Sequence, residues 1–398
     1  MKPLRILQVS ATCVGAEWFH DQVTGLARRG HTVHAVLPGG GPLAERLRAA
    51  GIPVEIIPFK GQRPHQLLRV GAAEARLLRL VRAFGPDVIH AHSLKAALCC
   101  RLAALRHRPV VRVTQWPSIT HLHSPWLAWP DLRTMHRDDV VVGSCQAIAE
   151  RYRAMGAPAV AVSYYGCDVH RLDPKTPGTA FRREFGLADR TPTVGMVARI
   201  QSSRLRAFRE IGVKGHEVFL DAAPLILREV PAAQLFVVGD SIIGDESYRR
   251  SLEARAAALQ VADRVHFTGW RSDIAAVMAG LDVAVNPSIE ESACGTMVEA
   301  LLMRRGVVAS DVGGLPDTVQ HGKTGLLVPP ANPAALAAAV TELLADPARR
   351  LAMGSRGREH CLRRFDIDAT VAQVEDIYAD ALRGSTRARR TTRRPATT

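Results

Sequence analysis

The chain has 398 residues, 47% of them hydrophobic, and a formal net charge of +14. That length exceeds one ordinary core and predicts two domains of roughly 200 residues or slightly less. No apolar run approaches a membrane span, and the seven cysteines form no CxxC pair and have no His companions at zinc spacing. These features exclude a disulfide scaffold and a zinc module and predict a soluble, reduced, cytoplasmic protein.

The elements alternate as parallel βαβ units do, short β-branched runs followed by amphipathic stretches. "LRILQVSA" reads as a buried strand and not as a secretion signal, because the apolar segment is strand-length with no small-residue cleavage site behind it. A loop through Gly15 leads to the helix "EWFHDQVTGLARRG", closed by Gly30. The strand "HTVHAVLP", a Gly-rich turn at 39–42, the helix "LAERLRAAG" and the strand "PVEIIPF" follow. A helix over 64–84 precedes the strands "PDVIHAHS" and "RPVVRVTQ", and then an irregular stretch rich in Trp, Pro and His. "DDVVVGSCQAIAERYRAMG" supplies another strand and helix, and "AVAVSYYG" another strand. Periodicity lapses near 170–190, which reads as a linker.

The alternation then restarts with "PTVGMVARI", a helix over 215–229, "AQLFVVGD", a helix over 246–260, "RVHFTGW", "IAAVMAG" and "LDVAVNPS". A helix over 296–305, "GVVASDVGG", "GLLVPP" and helices to the end complete the pattern. The expected architecture is α/β, two doubly wound halves facing each other. Ligands in such sheets lie beyond the carboxyl ends of the strands, and the cleft between halves is the default site. The tail "RGSTRARRTTRRPATT", 383–398, carries no apolar run and reads as disordered. Two accounts of its charge stay open, a solvated basic end and an electrostatic hold on acidic lipid. Nothing resembles a recognition helix or an aromatic stacking sheet, so nucleic acid is not expected as a partner.

The stretch "EESACGTMVEA" follows a buried strand and opens a helix. It puts Glu291 in the loop and Glu299 a turn into the helix. Helix N-termini favour phosphate through unpaired N–H groups and a partial positive charge, and Gly295 lets backbone approach a ligand. Carboxylates accept hydrogen bonds from hydroxyls, so Glu291 and Glu299 suit two sugar rings on either side of a diphosphate. Ordinary capping explains acids in such places too. Arg199, at the end of "VGMVARI", and Lys214, just before the next helix, would lie above the same sheet edge where a diphosphate needs neutralising.

Together these residues resemble glycosyltransferase family 4, the retaining enzymes of the GT-B fold. The resemblance is carried in order by Ala198-Arg199, Lys214-Gly215, Gly239-Asp240, Phe267-Thr268-Gly269 and Pro287-Ser288. It continues through Glu291 to Glu299-Ala300, Gly313-Gly314-Leu315-Pro316-Asp317 and Gly325-Leu326-Leu327-Val328. The first half is similar through Gly15-Ala16-Glu17, "LARRGHTVHAV", "PDVIHAHS" and "YYGCD". The resemblance implies two facing Rossmann-like domains with an inter-domain cleft. These would be an acceptor-binding domain over 1–175 and a nucleotide-sugar domain over 190–365, with a helix over 366–382 packing back on the first. It implies transfer of a hexosyl group from a nucleoside diphosphate sugar, UDP favoured over GDP, to an acceptor hydroxyl. That acceptor would belong to bacterial glycan, glycolipid or secondary-metabolite biosynthesis.

By the same resemblance Glu299 would hold the ribose and Glu291 the hexose. Arg199 and Lys214 would take the diphosphate with backbone N–H groups of Ala293, Cys294, Gly295 and Thr296. Gly269 and its neighbours would border the base, and the Gly15 loop would approach the phosphates, with Glu17 on the acceptor side. The family's usual His-Gly falls on Gln115-Trp116, so Gln115 takes the polar role or His121 or His123 reaches in from "ITHLHSP". No cofactor is implied and no metal. "FDID", 365–368, reads as a helix cap. A nucleotide-sugar 2-epimerase on the same pocket and a non-catalytic nucleotide-sugar-binding homologue are the alternatives.

Overall fold

The computed structural model describes residues 2–13, 16–59, 67–103, 110–202, 211–241 and 246–392, with backbone alone for 67–70 and 385–392. The chain forms two compact units, Met1–Asp168 with Phe365–Thr398, and Val169–Arg364.

The first unit is built on seven strands: β1 (Arg5–Ser10), β2 (Thr32–Leu37), β3 (Val54–Ile56), β4 (Val88–His92), β5 (Val111–Trp116), β6 (Val140–Gly143) and β7 (Val160–Val162). All pairings are parallel and the order is β3-β2-β1-β4-β5-β6-β7. Parallel strands covered on both faces are near-continuous apolar runs, which is why "RILQVS" and "VVVG" form strands here. Helices α1 (Glu17–Arg28), α2 (Pro42–Ala49), α3 (Leu67–Phe84), α4 (Leu94–Ala103), α5 (Pro125–Thr134) and α6 (Gln146–Ala154) complete the alternation. On α1, Phe19, Val23 and Leu26 recur at helical spacing and are fully buried.

The last helix, Ile367–Thr392, belongs to this unit. Its Val371, Val374 and Tyr378 join the core of Ile6, Phe19 and Val111. Asp366 caps it, accepting from the N–H groups of Asp368 and Ala369, so "FDID" does serve as a cap. The disordered tail expected from 383 onward is corrected in part: helical backbone continues to Thr392, and 393–398 lie outside the described residues.

The second unit holds β8 (Thr193–Val197), β9 (Gln234–Val238), β10 (Val265–Gly269), β11 (Val283–Asn286), β12 (Gly306–Ser310) and β13 (Leu326–Val328), all parallel, in the order β10-β9-β8-β11-β12-β13. Its helices are α7 (Thr179–Glu184), α8 (His216–Glu229), α9 (Glu246–Ala258), α10 (Ile274–Gly280), α11 (Gly295–Leu302), α12 (Leu315–Thr318), α13 (Pro333–Ala345) and α14 (Pro347–Arg364). The stretch near 170–190 that reads as a linker is built into this unit instead. Phe181 on α7 is buried against Phe185 and Phe236, so the segment contributes core that its polar composition hides. Both sheets are doubly wound, each reversing direction once along its strand order. That reversal, between β1 and β4 in the first unit and between β8 and β11 in the second, is where ligands gather in open α/β sheets.

Candidate functional site

At the reversal point of the second sheet the loops after β8 and β11 meet. Ile289 N–H donates to the Val213 carbonyl at 2.9 Å, which sets the two loops side by side. Gly215, at φ +73°, turns the chain into α8 close against Pro287. A side chain there would strike the Pro287 carbonyl, so only glycine fits. This close approach places Lys214 Nζ 2.6 Å from Glu291 Oε2, with Ser288 Oγ donating to the same oxygen at 3.3 Å. Gly313, at φ +54°, does the same from the loop after β12. It lies on the Glu291 carbonyl, which also accepts from Gly314 N–H at 3.2 Å. The two glycines of "VGG" therefore hold the backbone that carries Glu291.

Electrostatically the cluster is a single unit. Burial pulls the Lys214 ammonium down, but the adjacent Glu291, then Cys294, more than offset this and leave it raised; Arg199 is close enough to work against that rise. Glu291 is only 9% exposed, whereas Arg199, two residues past the end of β8, is open to solvent. Two cations within electrostatic reach of each other, only one of them paired to an acid among the described residues, make an anion-attracting edge.

The first turn of α11 faces the same loop. Cys294 precedes the helix, buried, its Sγ accepting from Asn286 Nδ2 at 2.8 Å; burial and then Glu291 push its thiol up to about 11. It is thus a protonated packing group. Ala293 and Gly295 are exposed beside it and Thr296 is half-buried, so this backbone is open on one side. Glu299, one turn along, is half-buried; burial raises its pKa while Arg171, at 3.3 Å, pulls it back. Gly269 ends β10 and its carbonyl accepts from Gly239 N–H at 2.9 Å, with Trp270 exposed next to it.

Two residues of this region escape sequence reasoning. Arg171, the counter-ion of Glu299, lies in the stretch near 170–190 that reads as a linker. His216, the first residue of α8, is fully buried, and neither ring nitrogen has a hydrogen-bond partner among the described residues. Burial, then the charge of Lys214, lower its pKa to about 3, so it is a neutral ring beneath Lys214.

In the first unit the Gly15 loop lies outside the described residues, as does most of the basic stretch between Arg199 and Lys214. Glu17 opens α1, exposed, and is engaged by Arg46 Nη1 at 2.6 and 2.7 Å. At the reversal point β4 ends in two stacked, buried imidazoles. His92 contacts Gln8 Oε1 at 2.8 Å and Tyr165 at 3.1 Å, and His90 contacts Tyr378 at 2.6 Å. Burial lowers the pKa of both. Ser93 follows at φ +76°, an uncommon backbone for serine.

Gln115, at the end of β5, is fully buried. Its Nε2 donates to the Ser163 carbonyl at 2.8 Å, while Oε1 has no partner among the described residues. His121, one of the alternatives to Gln115, is buried: its ring stacks on Trp116, and Nε2 lies 3.0 Å from Asp131 and 3.3 Å from Tyr152. His123, on the same 3-10 turn, is exposed. Among the described residues no group of three or more His, Cys, Asp or Glu is placed to hold a metal ion.

Comparisons with known proteins agree on what this arrangement is similar to. Residues 199–346 match the family described as "Glycosyl transferases group 1", and residues 15–167 match the "Glycosyl transferase 4-like domain". A Mycobacterium tuberculosis protein named GDP-mannose-dependent alpha-(1-6)-phosphatidylinositol monomannoside mannosyltransferase is 32% identical over 288 residues, 68% of this chain and 70% of that protein. A Corynebacterium aurimucosum D-inositol 3-phosphate glycosyltransferase is 29% identical over 363 residues, 85% of this chain and 82% of that protein. Among solved structures, Anabaena HepE in complex with UDP aligns at a TM-score of 0.81 with 22% identity, covering 95% of this chain and all of that one. A sucrose-phosphate synthase from Thermosynechococcus elongatus aligns at 0.77 with 19% identity, covering 96% of this chain and 100% of that one. These neighbours share the fold, two Rossmann-like parallel-sheet domains of the GT-B type.

Proposed function

Because the chain belongs to glycosyltransferase family 4, we propose that it moves a hexosyl group from a nucleoside diphosphate sugar to an acceptor hydroxyl, with retention at the anomeric carbon. The observation that carries this reading is the Lys214–Glu291 pair, held at the reversal point of the second sheet beside Arg199 and the open first turn of α11.

In this proposal Lys214 and Arg199 neutralise the diphosphate, and the N–H groups of Ala293 to Thr296 add the field of a helix N-terminus. Glu291, already fixed by Lys214 and Ser288, accepts from hexose hydroxyls, and Glu299 accepts from the ribose. A ribose there competes with Arg171, which is exposed and free to swing aside. The bond from the anomeric carbon to the leaving phosphate oxygen breaks as the acceptor oxygen bonds on the same face. The acceptor proton passes to that departing phosphate oxygen. No enzyme nucleophile is needed, so the residues serve by positioning and by stabilising charge. Gln115 contributes an amide in the first unit and holds no proton to transfer.

Support for the donor base is divided. UDP is the commoner base among such enzymes and is bound in the Anabaena neighbour, whereas the Mycobacterium relative is named for GDP-mannose. The relatives' names also support a polyol acceptor, lipid-linked or free. Contact of the basic C-terminal end with anionic membrane belongs to the same proposal, since its arginines extend the last helix.

The test is incubation with UDP- and GDP-hexoses, with and without inositol phosphate or lipid-linked polyol acceptors. Diphosphate release only with acceptor, and an α-linked product from an α-linked donor, support the proposal. A β-linked product overturns retention, and conversion of the donor sugar without acceptor favours the epimerase.

A further inference from the structure

We propose that the outer face of α5 docks the first unit on an anionic lipid bilayer through Trp126, Leu127 and Trp129. This inference stands apart from the donor site and uses residues of the first unit alone.

The helix Pro125–Thr134 is inverted relative to an ordinary surface helix. It buries an alanine and an aspartate, Ala128 and Asp131, and presents Trp126 at 89%, Trp129 at 66% and Leu127 at 49% exposure. What enforces this is a buried ion pair network. Arg101 on α4 bonds Asp131 at 2.8 Å and Asp138 at 2.6 Å, and Tyr152 adds a hydrogen bond to Asp131 at 2.6 Å. Rotating the helix to bury the tryptophans would pull Asp131 from its partners and leave Arg101 short of charge, which is strongly unfavourable inside a protein. The tryptophans are therefore held in water, although each could cover a large apolar area. Leu102 on the adjoining α4 is also exposed, at 47%.

The charge around this patch identifies its partner. The one acid of α5, Asp131, is buried and paired with Arg101. Arg133 is exposed on α5 and Lys95 on α4, with His123 before α5 and His136 after it. An exposed apolar face of two tryptophans and a leucine, with Arg133 exposed on the same helix and Lys95 on α4, matches the headgroup region of an anionic membrane. Indole rings settle there, and each basic group near the surface adds attraction. A protein partner with an acidic rim is the weaker reading, because tryptophans this proud of the surface offer no groove for one.

The experiment is co-sedimentation of the full chain with vesicles of phosphatidylcholine alone and of phosphatidylcholine with phosphatidylglycerol, with no sugar nucleotide present. Four variants are compared: Trp126→Ala with Trp129→Ala, Arg133→Glu, Leu351→Ala on exposed apolar surface of the second unit, and a truncation after Gly384. The expected result is binding to the anionic vesicles that falls on the order of tenfold or more in the double variant and several-fold for Arg133→Glu. Leu351→Ala leaves it unchanged. Brominated lipid should quench the wild-type fluorescence and not that of the double variant. Circular dichroism melts establish that the double variant is folded, as expected for exposed positions. Wild-type protein that stays in the supernatant with both vesicles overturns the proposal. So does full retention of binding by the double variant, or its loss on truncation alone, which assigns the contact to the basic end. A wild-type dimer that the double variant converts to monomer, with vesicle binding unchanged, assigns the patch to a second copy and also overturns it.

Discussion

Gly313 and Glu291 show how single residues build the site. A methyl at position 313 would collide with the Glu291 carbonyl and would sit in a left-handed backbone that L side chains resist. Gly313→Ala should therefore shift the loop that carries Glu291, lowering turnover at least tenfold and stability by about 1–3 kcal/mol; calorimetry with steady-state rates checks both. The two acids separate by experiment. Glu291→Ala should reduce turnover by roughly 100-fold or more while nucleoside diphosphate still binds. Glu299→Ala should weaken nucleotide binding itself by about tenfold, the worth of one charge-assisted hydrogen bond. Titration calorimetry beside initial rates distinguishes them, and normal values of both quantities in both variants would remove the assignment. The placement of Glu291 after a strand and of Glu299 in the helix that follows was legible in the sequence because that spacing is local. His121 was not. Its burial depends on Asp131, Tyr152 and Trp116 from three separate elements, and no linear pattern encodes that meeting.

The C-terminal helix carries the argument at the scale of elements. His31 accepts the Leu4 N–H at Nδ1, so its Nε2 proton points to Glu375 Oε1 at 2.7 Å, and Arg29 bonds the other carboxylate oxygen. Burial raises the Glu375 pKa, but Arg29 and His31 more than offset it and leave it lowered. A carboxyl whose folded pKa lies below its unfolded value stabilises the protein above the unfolded value, and that stability fades as pH falls through the folded one. Glu375→Gln should thus lower the melting temperature at neutral pH, and the difference from wild type should shrink as pH drops below about 4. Tyr378→Phe removes the hydroxyl that Gln8 and His90 share and should cost about 1–3 kcal/mol. Strands such as β6 and β11 were legible because double burial makes them short valine-rich runs. The extension of the last helix to Thr392 was not, since an arginine-rich stretch without an apolar stripe gives no helical period. Nor was the facing of α5, because periodicity shows that faces exist and not which one a buried ion pair turns inward.

On the scale of the whole molecule, two rounds of strand–helix alternation were enough to predict two doubly wound sheets, and the sheets place their reversal points where the marked loops lie. The chain's return to the first unit at Phe365 was legible only through the family resemblance. The segment after Asp168 looked like a linker because its few buried aromatics, Phe181 above all, are spread among polar residues. Part of the net charge of +14 serves buried acids, as Arg101 does for Asp131 and Asp138, and in the proposed function Lys214 and Arg199 form a cationic edge in the second unit. The central claim concerns that edge. Calorimetric titration with nucleoside mono- and diphosphates of wild type, Lys214→Ala and Arg199→Ala tests it most directly. The account predicts that wild type prefers the diphosphate by about tenfold or more and that each substitution removes most of this preference. Equal affinity for mono- and diphosphate in wild type, or an undiminished preference in both variants, would contradict it.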